Sequence, residues 1–247
     1  MKKNMKLVST LALGAVAATA FATTTLAAEG ENATSNATIK AVAGGDTPVS
    51  PVDPTDPKDP NGQGPTDPDD GTTTNQTGPL QINYLSNLNF GDNIAITSKT
   101  ITANVKNDTP RFFQVSDLRG TAAGWKMNVS LGEFTPTGTA PATTKPITGA
   151  SIKFQNGEAV TSNDAVNGVD VDAAVTHDVT LSAGSTGVQT LMSADKGTGR
   201  GTWLARYTAK SGASDNENIV FSAPTNSITA NTSYQATLTW QLVDGAK

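Results

Sequence analysis

Among the residue types that carry most enzyme chemistry, this chain holds one histidine, His177, and no cysteine. A lone imidazole excludes a His-rich zinc site, and the lack of thiols excludes both a thiolate metal site and a disulfide framework. Nucleophilic catalysis would need His177 as base beside a serine, with a third group to orient it, and no nucleophile motif accompanies it. In the stretch Thr176-His177-Asp178-Val179 it reads instead as a solvent-facing strand residue. Asp164, Asn167, Asp170, Asp172 and Asp178 place oxygen ligands around Gly168, but not at the alternate positions of a calcium loop, so a solvated loop is expected. The chain is expected to have no catalytic site, no metal and no cofactor.

What remains capable of specific recognition is aromatic. Trp125 and Trp240 each sit in a strict two-residue alternation: Trp125, Met127, Val129 and Leu131 in one, Tyr234, Ala236, Leu238, Trp240 and Leu242 in the other. A period of two puts each set on one face of a strand. On such a face an indole can fill the core, or it can line a groove and stack on a sugar ring; both readings stay open at this stage.

The elements that must position these residues read as strands throughout. Further candidates are Leu80 to Tyr84, Ile101 to Val105, Arg111 to Val115, Ser151 to Phe154, His177 to Leu181, Gly201 to Tyr207 and Ile219 to Ser222, most of them separated by turn residues. Aromatics are only 5% of the chain and charged residues 16%, while Gly, Thr, Asn and Ser abound, a balance that suits short strands joined by polar turns rather than a helical bundle. Many short strands without a helical period between them predict an all-β fold, an antiparallel β-sandwich of immunoglobulin-like or related type over residues 80–247.

Two other segments precede that domain. Lys2, Lys3 and Lys6 open a run that is largely apolar from Leu7 to Phe21 and ends in small residues, which predicts a secretory signal peptide over residues 1–28, cleaved after Ala27 or Ala28. The apolar run is too short and too rich in alanine for a membrane span, so none is expected once the signal is removed. Residues 29–79 carry nine acidic side chains against two lysines, and seven of the 13 prolines fall between Pro48 and Pro68, many in Asp-Pro units. Such a segment predicts a disordered, semi-rigid spacer, which at about 3.1 Å per residue could extend on the order of 75 Å between Asp46 and Asp70. Residues 80–247 are near neutral, with thirteen acidic and twelve basic side chains. They offer no basic stripe, so nucleic acid is not an expected partner.

The strand carrying Trp240 also carries a resemblance. Tyr234-Gln235-Ala236-Thr237-Leu238-Thr239-Trp240-Gln241-Leu242 resembles the distal signature of the WxL domain family of Gram-positive surface proteins, Y-x-x-x-L-T-W-x-L, at every specified position. Upstream, Leu88-Asn89-Phe90-Gly91, Val115-Ser116-Asp117-Leu118-Arg119-Gly120 and Gly124-Trp125 follow the order seen at the start of such domains. The first motif departs from the pattern in reading Trp125-Lys126-Met127, although methionine keeps an apolar side chain of similar size. The proline that often follows the distal motif is also missing, and Trp203-Leu204 is not a further copy, since adjacent residues point to opposite strand faces.

The resemblance spans about Leu80 to the C-terminus. It implies non-enzymatic, non-covalent attachment to the cell wall by a C-terminal domain, with peptidoglycan or another wall polymer as ligand and other surface proteins of the same assembly as partners. Trp125, Met127, Tyr234, Leu238, Trp240 and Leu242 are then the candidate binding residues. The sequence agrees in showing no sorting motif, hydrophobic tail or lipid-bearing cysteine, so secretion followed by non-covalent retention at the cell surface is expected. The alternative is an adhesin or structural subunit that binds host matrix or a partner surface protein; a secreted hydrolase ranks below both for want of an acid–base pair.

Overall fold

The computed structural model describes residues 34–67, 69–96, 99–106, 110–165 and 172–245. The expected signal peptide therefore lies outside the described residues. The chain divides into residues 1–40 and a compact unit of residues 41–247, which holds all the strands described below.

In chain order these are β1 (Gly71–Thr73), β2 (Leu80–Ser86), β3 (Thr100–Lys106), β4 (Arg111–Asp117), β5 (Trp125–Leu131), β6 (Thr135–Thr137), β7 (Ser151–Phe154), β8 (Glu158–Thr161), β9 (Val175–Thr176), β10 (Val179–Ser182), β11 (Gln189–Ala194), β12 (Gly201–Tyr207), β13 (Asp215–Pro224), β14 (Ser233–Gln235) and β15 (Leu238–Asp244). They form three antiparallel sheets in the orders β1-β2-β4-β12-β8, β10-β7-β13-β3 and β15-β5-β11-β9, with a two-stranded ribbon β14-β6. The architecture is an all-β sandwich, as the alternation predicts. Its core gathers inward residues from every sheet around Phe113, whose ring centroid lies 5.9 Å from Phe154, 6.2 Å from Tyr207 and 4.5 Å from Trp240.

Four features differ from the sequence reading, the first three for local reasons. Strand β11 was not expected, because a register shift between Thr190 and Met192 buries the adjacent Leu191 and Met192 together and hides the alternation. The stretch 234–242 is two strands rather than one. Thr237 accepts from Gly132 N–H while Gln235 pairs with Thr135, so Glu133 and Phe134 oppose Ala236 alone, and this bulge ends β15 and starts the ribbon. His177 falls between β9 and β10, not within a strand.

The fourth difference concerns residues 44–67 and 69–79, part of the stretch 29–79 expected as an open spacer. Residues 44–54 and 70–78 pack on the first sheet. Gly44 N–H donates to Leu118 O, Gly78 N–H to Gly45 O, and β1 pairs with β2. The outward face of that sheet carries Gln81, Asn83, Gln114 and Ser116, all buried. Gln81 Oε1 accepts from Val49 N–H, Gln114 Oε1 accepts from Val52 N–H, and Gln114 Nε2 donates to Ser50 O, each at 3.0–3.1 Å. Arg206 Nη1 donates to Pro54 O, and Val52 packs on Tyr84, Phe112 and Leu204. A proline-rich segment cannot complete a backbone ladder, but amide side chains can bond its carbonyls and its remaining N–H groups. Asp53 and Asp59 each accept the N–H two residues on, at Thr55 and Asn61, which sets turns across the intervening prolines.

Candidate functional site

Strand β5 pairs antiparallel with β15, which brings the two tryptophan motifs side by side. Val129 stands opposite Trp240, Met127 opposite Leu242 and Trp125 opposite Asp244. Directly opposite residues share a face, so both motifs point inward. Trp125 and Met127 are 0% exposed, and Trp125 Nε1 donates to Gly199 O at 2.9 Å. These two binding candidates lie in the core, because the centre of the sandwich is on their side of the sheet. Leucine-to-methionine replacement in the first motif is accommodated there without exposure. Tyr234, Leu238, Trp240 and Leu242 are half-buried and pack against the same core, Trp240 tilted 31° over Phe113. A groove shared by both indoles is not formed.

A charged clamp closes the end of this strand pair. Asp117, whose side chain is 0% exposed, receives Arg119 Nε at 2.9 Å and Nη2 at 2.8 Å. Arg119 Nη1 lies 2.7 Å from Asp244 of β15, and Nη2 also donates to Gly124 O beside β5. The Asp117 hydrogen bonds, with Asp244 adding to them, hold the guanidinium pKa above its ordinary value despite partial burial. The Asp-Leu-Arg run was visible in the sequence; its partner Asp244, more than a hundred residues away, was not.

The other face of the motif sheet is open. Lys126, Asn128 and Ser130 of β5 alternate with the buried set, and Thr239 and Gln241 of β15 stand opposite Ser130 and Asn128. Lys126, Thr239 and Gln241 are exposed, and Asn128 Oδ1 accepts from Thr190 Oγ1 at 2.8 Å. Along the strands this face runs into a groove of about 450 Å³ at the bulge, lined by Gly132, Glu133, Thr135, Gln235 and Thr237. It is a track of neutral hydroxyls and amides with an ammonium at one end and a carboxylate at the other.

Beside it, His177 Nε2 lies 2.8 Å from Ser193 Oγ, and His177 N–H donates to Leu191 O. It is a single serine–histidine contact. A working triad also needs a group to orient the imidazole and donors for an oxyanion. Among the described residues no group of three or more metal-ligating side chains forms. Asn167, Gly168 and Asp170 of the acidic loop lie outside the described residues, while Asp172 pairs with Arg200 and Asp178 Oδ1 accepts from Asn156 N–H. No helix among the described residues is long and apolar enough to cross a membrane.

No curated protein and no solved structure matches the chain. A family model described as "WxL domain surface cell wall-binding" matches residues 28–245. The match begins at residue 28 rather than near Leu80, and so takes in the segment that packs on the first sheet. The chain thus belongs to the WxL domain surface cell wall-binding family, and it is a cell-surface protein that binds the cell wall.

Proposed function

We propose that the protein is a non-enzymatic wall ligand-binder that holds peptidoglycan non-covalently on the outward face of the motif sheet. The observation that carries this reading is the contrast between the two faces of β5 and β15. The inward face is filled by the core, while Lys126, Asn128, Ser130, Thr239 and Gln241 present side chains able to bond sugar hydroxyls and acetamido groups. The opposed charges fit a ligand of mixed charge. Lys126 and Glu133 stand roughly 20 Å apart along the strand at about 3.3 Å per residue, and peptide-bearing glycan offers carboxylates and free amines on that scale.

The test is sedimentation with purified sacculi. Lys126→Ala, Thr239→Ala and Gln241→Ala, combined in one chain, should abolish co-sedimentation while leaving the thermal unfolding transition in place. Retained binding by that variant would overturn the assignment of this face. Sacculi stripped of phosphodiester-linked polymers with hydrofluoric acid should bind as well as untreated ones; loss of binding would name a secondary wall polymer instead. High salt or denaturant should release the intact protein from cells.

A further inference from the structure

Strand β15 is the terminal strand of its sheet, with β5 on one side. The direction of its backbone groups follows from two bonds. Gly132 N–H donates to Thr237 O, and Gly245 N–H donates to Gly124 O, so odd-numbered residues of this strand turn their N–H and C=O towards β5. The even-numbered Leu238, Trp240 and Leu242 therefore turn theirs away from the sheet. These are also the residues whose side chains are only half-buried. A row of unpaired backbone donors and acceptors beside half-exposed apolar side chains is a template for one more strand.

The same molecule carries a segment suited to fill it. Ile39, at 96% exposure, and Val42, at 84%, are the most exposed large hydrophobic residues described, far beyond any in residues 80–247. They lie in Ala37-Thr38-Ile39-Lys40-Ala41-Val42-Ala43, where Ala37, Ile39, Ala41 and Ala43 alternate with Thr38, Lys40 and Val42. Residues 34–43 have no strand partner and every one of them is exposed. Seven residues match the length of β15. Paired against it, the alanines would leave room for the indole of Trp240 while Ile39 covers the neighbouring leucines, and Lys40 would face solvent.

We propose that residues 37–43 of one copy add as a strand to the β15 edge of a second copy, joining chains head to tail at the cell surface. The contact is heterologous, so it repeats: each chain offers one donor segment and one acceptor edge. It uses a strand edge rather than the outward sheet face, and so does not depend on the wall-binding reading. A chain of copies would carry many such faces and raise the avidity of attachment.

Sedimentation velocity on the purified exported chain, across a range of concentrations, reads the proposal directly. The chain should form species larger than a monomer as concentration rises, and amide exchange at Leu238, Trp240 and Leu242 should slow in step. Ile39→Asp alters a fully exposed side chain and should abolish the larger species with unchanged thermal unfolding. Leu242→Pro removes an outward N–H without touching the bonds to β5 and should do the same from the acceptor side. A synthetic peptide of residues 34–43 should protect the same three amides in a chain lacking that segment. Assembly that survives Ile39→Asp, or a chain monomeric at all concentrations, would overturn the proposal. Protection of the three amides in a monomer would also overturn it, assigning the segment to its own edge. Protection that appears only with another surface protein added would assign the edge to that partner.

Discussion

Two sheets of this protein present the same kind of outward surface and meet different fates. On the first sheet, Gln81, Asn83, Gln114 and Ser116 form a polar ladder that is wholly buried under residues 44–56. On the motif sheet, Asn128, Ser130, Thr239 and Gln241 form a comparable ladder that no segment among the described residues covers. The difference is not in the chemistry of the faces but in what is tethered beside them. The proline-rich segment is joined to β1 through a short connection, so its effective concentration at the first sheet is high and its ordering is favoured. The lesson is that a strand face lined with amides holds an extended polymer well. The proposed wall-binding face, uncovered among the described residues, has the same chemistry.

The strongest way to break this comparison is to show that the motif residues act on ligand rather than on the fold. Trp125→Ala should cost about 3 to 5 kcal/mol through cavity formation, and wall binding should fall only because the protein unfolds. If that variant kept its melting temperature and lost binding, the inward assignment of the first motif would be wrong. Next in size is Gln114→Leu, which strands Val52 N–H and Ser50 O beneath a closed surface and should cost about 1 to 3 kcal/mol. Cleavage by an Asp-directed protease at Asp46, Asp53 and Asp56 should then accelerate well before global unfolding, while sacculus binding stays unchanged.

Alkaline pH sharpens the same contrast. Burial, with Asp70 nearby, pushes the Tyr84 hydroxyl from 10.0 up to about 12, and the ring stacks on Phe112 at 4.5 Å under Val52. Burial also raises Tyr207. A folded pKa above the unfolded one means that the stabilisation is complete below pH 10 and is lost as pH rises towards 12 and beyond. Chemical denaturation between pH 9 and about 12 should show that decline, and Tyr84→Phe should make it shallower. The smallest effect on stability belongs to the open face: Lys126→Ala, Thr239→Ala and Gln241→Ala should each stay within about 0.5 kcal/mol of wild type by thermal unfolding, yet weaken sacculus binding.

Period-two patterning was enough to identify an all-β sandwich and to place β2, β3, β4, β5, β7, β12 and β13 near their observed positions, because a half-buried strand writes its burial directly into alternation. The pattern failed where alternation itself is interrupted. At β11 the register shift puts Leu191 and Met192 side by side in the core, and at Ala236 the bulge divides one apparent strand into two. The resemblance carried by residues 234–242 sufficed to name the family, since it depends on residue identity and spacing alone. Whether Trp125 and Trp240 fill the core or line a groove was not legible, because alternation marks the apolar face of a strand but not whether protein or ligand covers it. Nor was the packing of residues 44–54. Their composition describes a segment with no core of its own, and that remains true; its order comes from Gln81, Gln114 and Arg206, side chains supplied by other strands. Only pairing across long sequence separations could reveal those partners, and the same pairing put Asp244 against Arg119 and left the even-numbered backbone groups of β15 facing outward.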